Sequence, residues 1–246
     1  MISTSNLFLK KHFHCLGTLT SLLCFHLFYG IATALYPGGT WQDHSTVGHS
    51  FWHNYLCDVM SATSLNGMPN PGSSYGLIAY GCLLIALLFW WMLLAKMTEK
   101  YSPILAKGLL SISLLSVATS FLAIVVFPAE EKLFSYHFVF TSLTLLFGLC
   151  TTFFPFVYFL SIAPCRFLGK AGVLLTSPVA VGLCCYMAQN LGLQAFQNND
   201  LIIGLSKVSI ITITILCLLS CYKQVQNVVA REHKVAGAKE LWVQLL

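Results

Sequence analysis

Charged side chains are what this chain has least of: they make up 9% of its 246 positions, where a soluble domain carries about a quarter. A chain so poor in charge cannot hydrate its own surface, and a mean hydropathy of +0.77 points the same way. The net charge of +5 is too small and too dispersed for a nucleic-acid surface, which excludes that class of partner. No Gly-rich phosphate loop and no Cys-x-x-Cys pair occurs, so nucleotide-binding and thioredoxin-like chemistries drop out, and serine-hydrolase chemistry is not expected. Lysine and arginine are missing altogether from residues 37–74.

Ten cysteines are present, but they do not read as a disulfide framework. Cys15, Cys24, Cys82, Cys150, Cys184, Cys185, Cys217 and Cys221 lie in apolar runs, and Cys165 lies in a basic loop. Cys57 alone falls in the polar stretch 37–74 and has no partner there, so buried thiols are expected.

Six apolar stretches reach the ~20 residues that a helix needs to cross a bilayer: 13–36, 75–95, 104–127, 133–162, 172–193 and 201–222. The fold class expected is all-α, a polytopic bundle of about six transmembrane helices over residues 1–222, followed by a tail, 223–246, that alternates apolar and charged residues and has the pattern of an amphipathic helix. Pro155 predicts a kink or tilt in the fourth span. The first span also resembles a signal peptide, since Lys10 and Lys11 precede an apolar run ending in Ala32-Thr33-Ala34, but the run exceeds the usual signal core and a retained helix is the preferred reading.

Basic residues stay on the cytoplasmic side of short loops. Lys10 and Lys11, then Lys96, Lys100 and Lys107, then Arg166 and Lys170, then Lys223, Arg231, Lys234 and Lys239 fall at one end of the predicted spans. The other end has Lys132 beside Glu130 and Glu131, and Asp200. This alternation predicts cytoplasmic termini and an outer loop at 37–74.

That loop is where polar residues concentrate. Its aromatics, Trp41, Phe51, Trp52 and Tyr55, favour a folded or interfacial loop over disorder. His49 and His53 are four apart, a spacing that stacks two imidazoles on a helix face as metal sites do. Asp43, His44 and Asp58 are near enough in sequence to complete a shell, and the bland alternative is a set of interfacial hydrogen-bonding histidines. His137, one turn into the fourth span from the outer side, is a third candidate ligand. Ionisable groups inside a span are costly and are functional candidates by default. Lys207 is the other such group: it either snorkels outward or pairs with Asp58, Glu130, Glu131 or a lipid phosphate. His26, deeper in the first span, reads as a helix-contact residue.

Tyr36-Pro37-Gly38-Gly39, the pattern Gly48-x-Ser50-x-x-x-Asn54-Tyr55-x-x-Asp58, the Asn66-Gly67 turn, and Phe127-Pro128 followed by His137 resemble a bacterial six-helix membrane family of unknown function. That family is similar in layout to the Frag/DRAM/Sfk group, some of whose members act in lipid-anchor remodelling or autophagy. The resemblance spans all six helices and implies a bacterial inner membrane and an outer-face site. The chain departs from the pattern at His49, where an aromatic is usual, and at Cys57, where serine is usual. In site chemistry alone, His49, His53, His137, Asp58 and Ser50 are similar to the three-histidine zinc set of alkaline-ceramidase and adiponectin-receptor type hydrolases.

Three functions follow in order. The first is a sensor or accessory protein binding membrane lipid or a small molecule at an outer pocket lined by Tyr36, Asp43, His44, Trp52, Asn54, Tyr55, Asn66 and Asn70. The second is a lipid hydrolase or transferase with Zn²⁺ on His49, His53 and His137, and with Asp58, Ser50 and Lys207 in catalytic roles. The third is a proton-coupled transporter relaying through His137 and Lys207.

Overall fold

A computed structural model describes residues 4–126, 134–193 and 199–245. Six long helices dominate it: α1 (Thr4–Ala34), α2 (Ser73–Glu99), α3 (Pro103–Phe121), α4 (Phe134–Leu160), α5 (Arg166–Asn190) and α6 (Asn199–Leu245). Six helical stretches are long and apolar enough to cross a membrane: His12–Ala34, Ser73–Glu99, Pro103–Ile124, Tyr136–Leu160, Ala163–Asn190 and Asn199–Ala230, the third and fifth including the short helical turns next to α3 and α5. The chain is thus an all-α, multi-pass membrane protein. Phe127, Pro128, Glu130, Glu131 and Lys132 lie outside the described residues.

The helix ends follow from local chemistry. α1 stops before Pro37-Gly38-Gly39, where Gly38 and Gly39 take φ of 142° and 88°, backbone that side chains other than glycine rarely adopt. A Cβ on Gly39 would also lie 2.4 Å from the Asn66 backbone nitrogen. α3 starts at Pro103 with Ser102 as its cap, the hydroxyl accepting from the Leu105 N–H at 3.4 Å, as the first turn of a helix requires. α4 and α5 carry Pro155 and Pro178 inside their lengths. A π-helical turn, Leu122–Val126, extends α3. α6 runs without a break through residue 223, so the tail continues the last span as one helix.

Consecutive helices pack as neighbours, and α6 returns to both α1 and α2. α2 also touches α4, which puts it at the centre of the bundle. Its Trp90 and Trp91 are buried, and each indole N–H has a partner: Trp90 donates to Ser220 Oγ on α6 and Trp91 to Thr152 Oγ1 on α4, both at 3.1 Å. In a bilayer, where apolar burial alone does not favour helix association, such bonds and close packing hold spans together. Ser116 of α3 donates to the Thr144 carbonyl of α4 at 3.0 Å, and Thr144 Oγ1 donates to Thr119 Oγ1 at 3.0 Å. Several serines and threonines of the third and fourth spans thus bond carbonyls and adjoining helices, while Ser142 Oγ of α4 is buried without a partner. The outward faces are apolar, with Ile104 86% and Phe167 77% exposed, consistent with lipid contact. α1 belongs to this core through Cys15, Leu22 and Phe25.

Small residues set the closest approach. A Cβ on Gly172 of α5 would lie 2.0 Å from the ring of Phe156, which is fully buried and has no room to withdraw. Gly172→Ala should therefore destabilise the α4–α5 contact by about 1–3 kcal/mol, read as a lowered thermal midpoint in detergent. Gly108→Ala, with open space at its Cβ, should leave the midpoint unchanged or slightly raised.

Candidate functional site

The segment 37–72 folds into a cap at the end of the bundle where α1 ends and α2 begins. Asp58 organises it. Its carboxylate accepts from the Trp41 indole N–H at 3.1 Å, the Asn54 side-chain amide at 3.3 Å and the Tyr55 backbone N–H at 2.7 Å. Burial raises the Asp58 carboxyl above its ordinary value, while these donors and the charge of Lys207 pull it back down. Asn54, fully buried, also donates to the Gly39 carbonyl and accepts from the Ser50 N–H. Asn70 plays the same part lower down, donating to the carbonyls of Val59 and Ser61 and accepting from the Gly72 N–H. The Tyr36 hydroxyl accepts from the Leu65 N–H at 3.1 Å.

These bonds distribute the expected outer-surface residues between two roles. Tyr36, Asn54 and Asn70 are buried and brace the loop from inside. Asn66 closes a turn, accepting from Ser64 Oγ and the Met68 N–H. Tyr55 is half-buried, and its hydroxyl reaches Asn199 at the start of α6 at 3.5 Å. Asp43, His44 and Trp52 are exposed. A shallow depression of about 240 Å³ lies among the Thr40–Gly48 turn, His49, Ser50 and His53.

The three histidines do not form one group. His49 and His53 lie in a turn and not on a regular helix. His49 packs edge-on between Tyr29 and Tyr36, with ring centroids 6.0 and 5.8 Å away. The exposed His53 turns its Nδ1 to Ser50 Oγ at 2.8 Å. His137 donates through Nδ1 to the Ala123 carbonyl at 2.9 Å, a bond from α4 to the turn extending α3. Among the described residues no three His, Cys, Asp or Glu side chains come together to hold a metal ion, so the geometry gives the Zn²⁺ reading no support. Asp58, offered as base or fourth ligand, has its oxygens committed to three donors. Gly72-Ser73-Ser74-Tyr75-Gly76 spells Gly-x-Ser-x-Gly, a match that the expectation against serine-hydrolase chemistry passes over. Ser74 lies on the first turn of α2 with no strand before it, and the nucleophile elbow needs a strand-to-helix turn.

Lys207 is the unusual group. It is 1% exposed, on α6 beneath the cap. Its ammonium donates to the Tyr29 hydroxyl at 2.9 Å and lies 5.4 and 5.1 Å from the ring centres of Tyr29 and Phe51. Cation–π contact with the Phe51 ring offsets part of the desolvation, while the ammonium lies beyond the hydroxyl end of Tyr29 and not over its face. Among the described residues no carboxylate lies within ion-pair distance of it, and one acceptor serves an ammonium with three N–H donors. Its charge also reaches His49, whose Nε2 is buried without a partner.

No family model, curated protein or solved structure matches this chain. Function must therefore be read from the Lys207 environment itself. Two of its parts, Tyr29 and Phe51, were not singled out as site residues from the sequence. A phenol near the end of an apolar span was the available signal for Tyr29. His26 falls where expected, with Nε2 3.4 Å from Thr214 Oγ1 of α6.

Two outcomes follow for the cap. Asp58→Ala leaves three donors without their acceptor, at a cost of about 3 kcal/mol or more. Chymotrypsin, which cuts at the aromatics of this lysine-free loop, should cleave the variant at least tenfold faster, and Asp58→Asn less so. His49 is held down to about 4 from 6.5 by burial and by the Lys207 charge. The unfolded chain takes up this proton near 6.5 and the folded chain only near 4, so stability falls as pH drops between those values and is insensitive to His49 above them. Thermal midpoints across that range should show a drop that His49→Gln reduces.

Proposed function

We propose that the protein binds an anionic amphiphile, a phosphate- or carboxylate-headed lipid or a small molecule of that kind, at the capped end of the bundle, with Lys207 as the anchor. The observation that carries this reading is the buried ammonium with spare donors. An ammonium in a low-dielectric site needs an anion or several acceptors, and Lys207 has one hydroxyl and one ring face. An anion arriving there would take the remaining N–H groups. Phe51 and Trp52, 41% and 53% exposed and packed edge to face, would lie against its apolar part and act as the lid that it must pass.

The distribution of lysine and arginine puts this end outside and the termini in the cytoplasm. The family resemblance adds a bacterial inner membrane and a lipid-related role. The motif residues that carry the resemblance are largely the ones that build the cap: Gly39, Asn54, Tyr55 and Asp58. The role is that of a sensor or accessory subunit, in which occupancy of the site stabilises the closed cap.

Dodecyl phosphate, titrated into protein held in dodecyl maltoside, should raise the thermal midpoint. Lys207→Met, which removes the charge and keeps the chain length, should abolish that rise. It should leave the unliganded midpoint equal or higher, because an unpaired buried charge costs stability. An equal rise in wild type and Lys207→Met, or no rise with any anionic amphiphile, would remove Lys207 as the anchor.

A further inference from the structure

A second cavity, of about 500 Å³, lies at the opposite end of the bundle, between the α2–α3 turn, the start of α5 and the far part of α6. Pockets that hold small ligands span roughly 300–1,000 Å³. Lys96 and Lys100 line it, with Tyr101, Cys165, Gln224 and Asn227. Lys100 Nζ stands 5.1 Å from the centre of the Tyr101 ring, and Lys223 is close enough to Cys165 to act on it electrostatically. Among the described residues the wall thus carries two lysines, Lys96 and Lys100, against one carboxylate, Glu99. The floor is apolar, with Cys165 and Met97 buried. Gln224 and Asn227 are three apart on α6 and so share a face, which the unbroken continuation of that helix brings to the cavity.

From this arrangement we propose that the groove binds the headgroup of an anionic phospholipid from the adjacent leaflet. Three observations agree on that occupant. The cationic groups outnumber the acid, so a zwitterionic headgroup would leave charge unanswered. The two amides and the Tyr101 phenol supply hydrogen bonds suited to phosphate oxygens and glycerol hydroxyls. The groove lies where the last apolar turns of α2 and α6 give way to polar residues, the level at which headgroups sit. If the basic end faces the cytoplasm, it also faces the leaflet in which anionic lipids concentrate, where each nearby lysine favours binding. Lys96 further approaches His14 of α1 closely enough to act on it, and His14 Nδ1 is buried without a partner. The site is separate from the capped end and does not depend on the reading given for Lys207.

The test is native mass spectrometry of the full chain released from neutral detergent, titrated with phosphatidylglycerol or phosphatidylcholine. Wild type should bind phosphatidylglycerol at least tenfold more tightly than phosphatidylcholine. Lys96→Gln with Lys100→Gln should lose that preference. Arg166→Gln with Lys170→Gln, at the same end but outside the groove, should keep it, and so should Lys207→Met. Equal binding of the two lipids by wild type would overturn the proposal, as would an equal loss in the Arg166 and Lys170 control. Glycerol 3-phosphate supplies the headgroup chemistry without the chains. If it competes as well as the lipid does, the groove takes a soluble anion and the lipid assignment fails. Lys207→Met keeps the groove and lacks the other proposed anion site, so its preference decides the matter even if the double lysine variant does not fold.

Discussion

The carboxylate of Asp58 accepts from the Trp41 indole and from the Asn54–Tyr55 turn, and the capped end of the molecule depends on that junction. It folds a lysine- and arginine-free segment back on itself, which sets Phe51 over the ammonium of Lys207 and His49 between Tyr29 and Tyr36. Charge-assisted hydrogen bonds of this kind are about twice as strong as neutral ones. Three of them on one buried group join the bonds of Asn70 and Tyr36 in fixing the loop.

What the cap encloses is not balanced to the same degree. The indoles of Trp90 and Trp91 each have a hydroxyl acceptor, and the threonines of α3 and α4 satisfy one another or nearby carbonyls. Lys207 differs. Burying an ammonium costs several kcal/mol, and one phenol hydroxyl and one ring face return about 1–2 kcal/mol each at best. Among the described residues a few other buried polar atoms lack a partner, His14 Nδ1, His49 Nε2 and Ser142 Oγ, but a buried cation left short of acceptors is the feature that most calls for a ligand.

The sequence made the six spans legible because a span needs little more than length and apolarity, and the turn at Pro37-Gly38-Gly39 was legible because few other structures tolerate it. Helix α6 outran its expected end because hydropathy reports where lipid stops, not where helical hydrogen bonding stops. The site was legible as a region and not as a constellation. His49 and His53 share a spacing that means one face on a helix, but they lie in a turn, where four residues apart carries no such meaning. Asn54 and Asn70 are polar residues in a loop between two spans, and composition alone assigns them to its surface. Only the path of the backbone shows that they bond carbonyls inside it. The pairing of Lys207 with Tyr29 joins α6 to α1 across 178 positions, and no local pattern reports a contact of that range.

The two anion sites proposed for the ends of the bundle thus differ in kind: one buried cation under a folded cap, and two lysines beside an open groove. The claim at the centre of this account is that Lys207 is held inside the bundle with hydrogen-bonding capacity left for an anion. An experimental structure of the protein extracted with its native lipids tests it directly. The account predicts a closed cap and density for a non-protein acceptor within hydrogen-bond distance of Lys207 Nζ, beside the Tyr29 hydroxyl. A Lys207 side chain extended into bulk solvent, or one paired with a carboxylate of the chain itself, would contradict it.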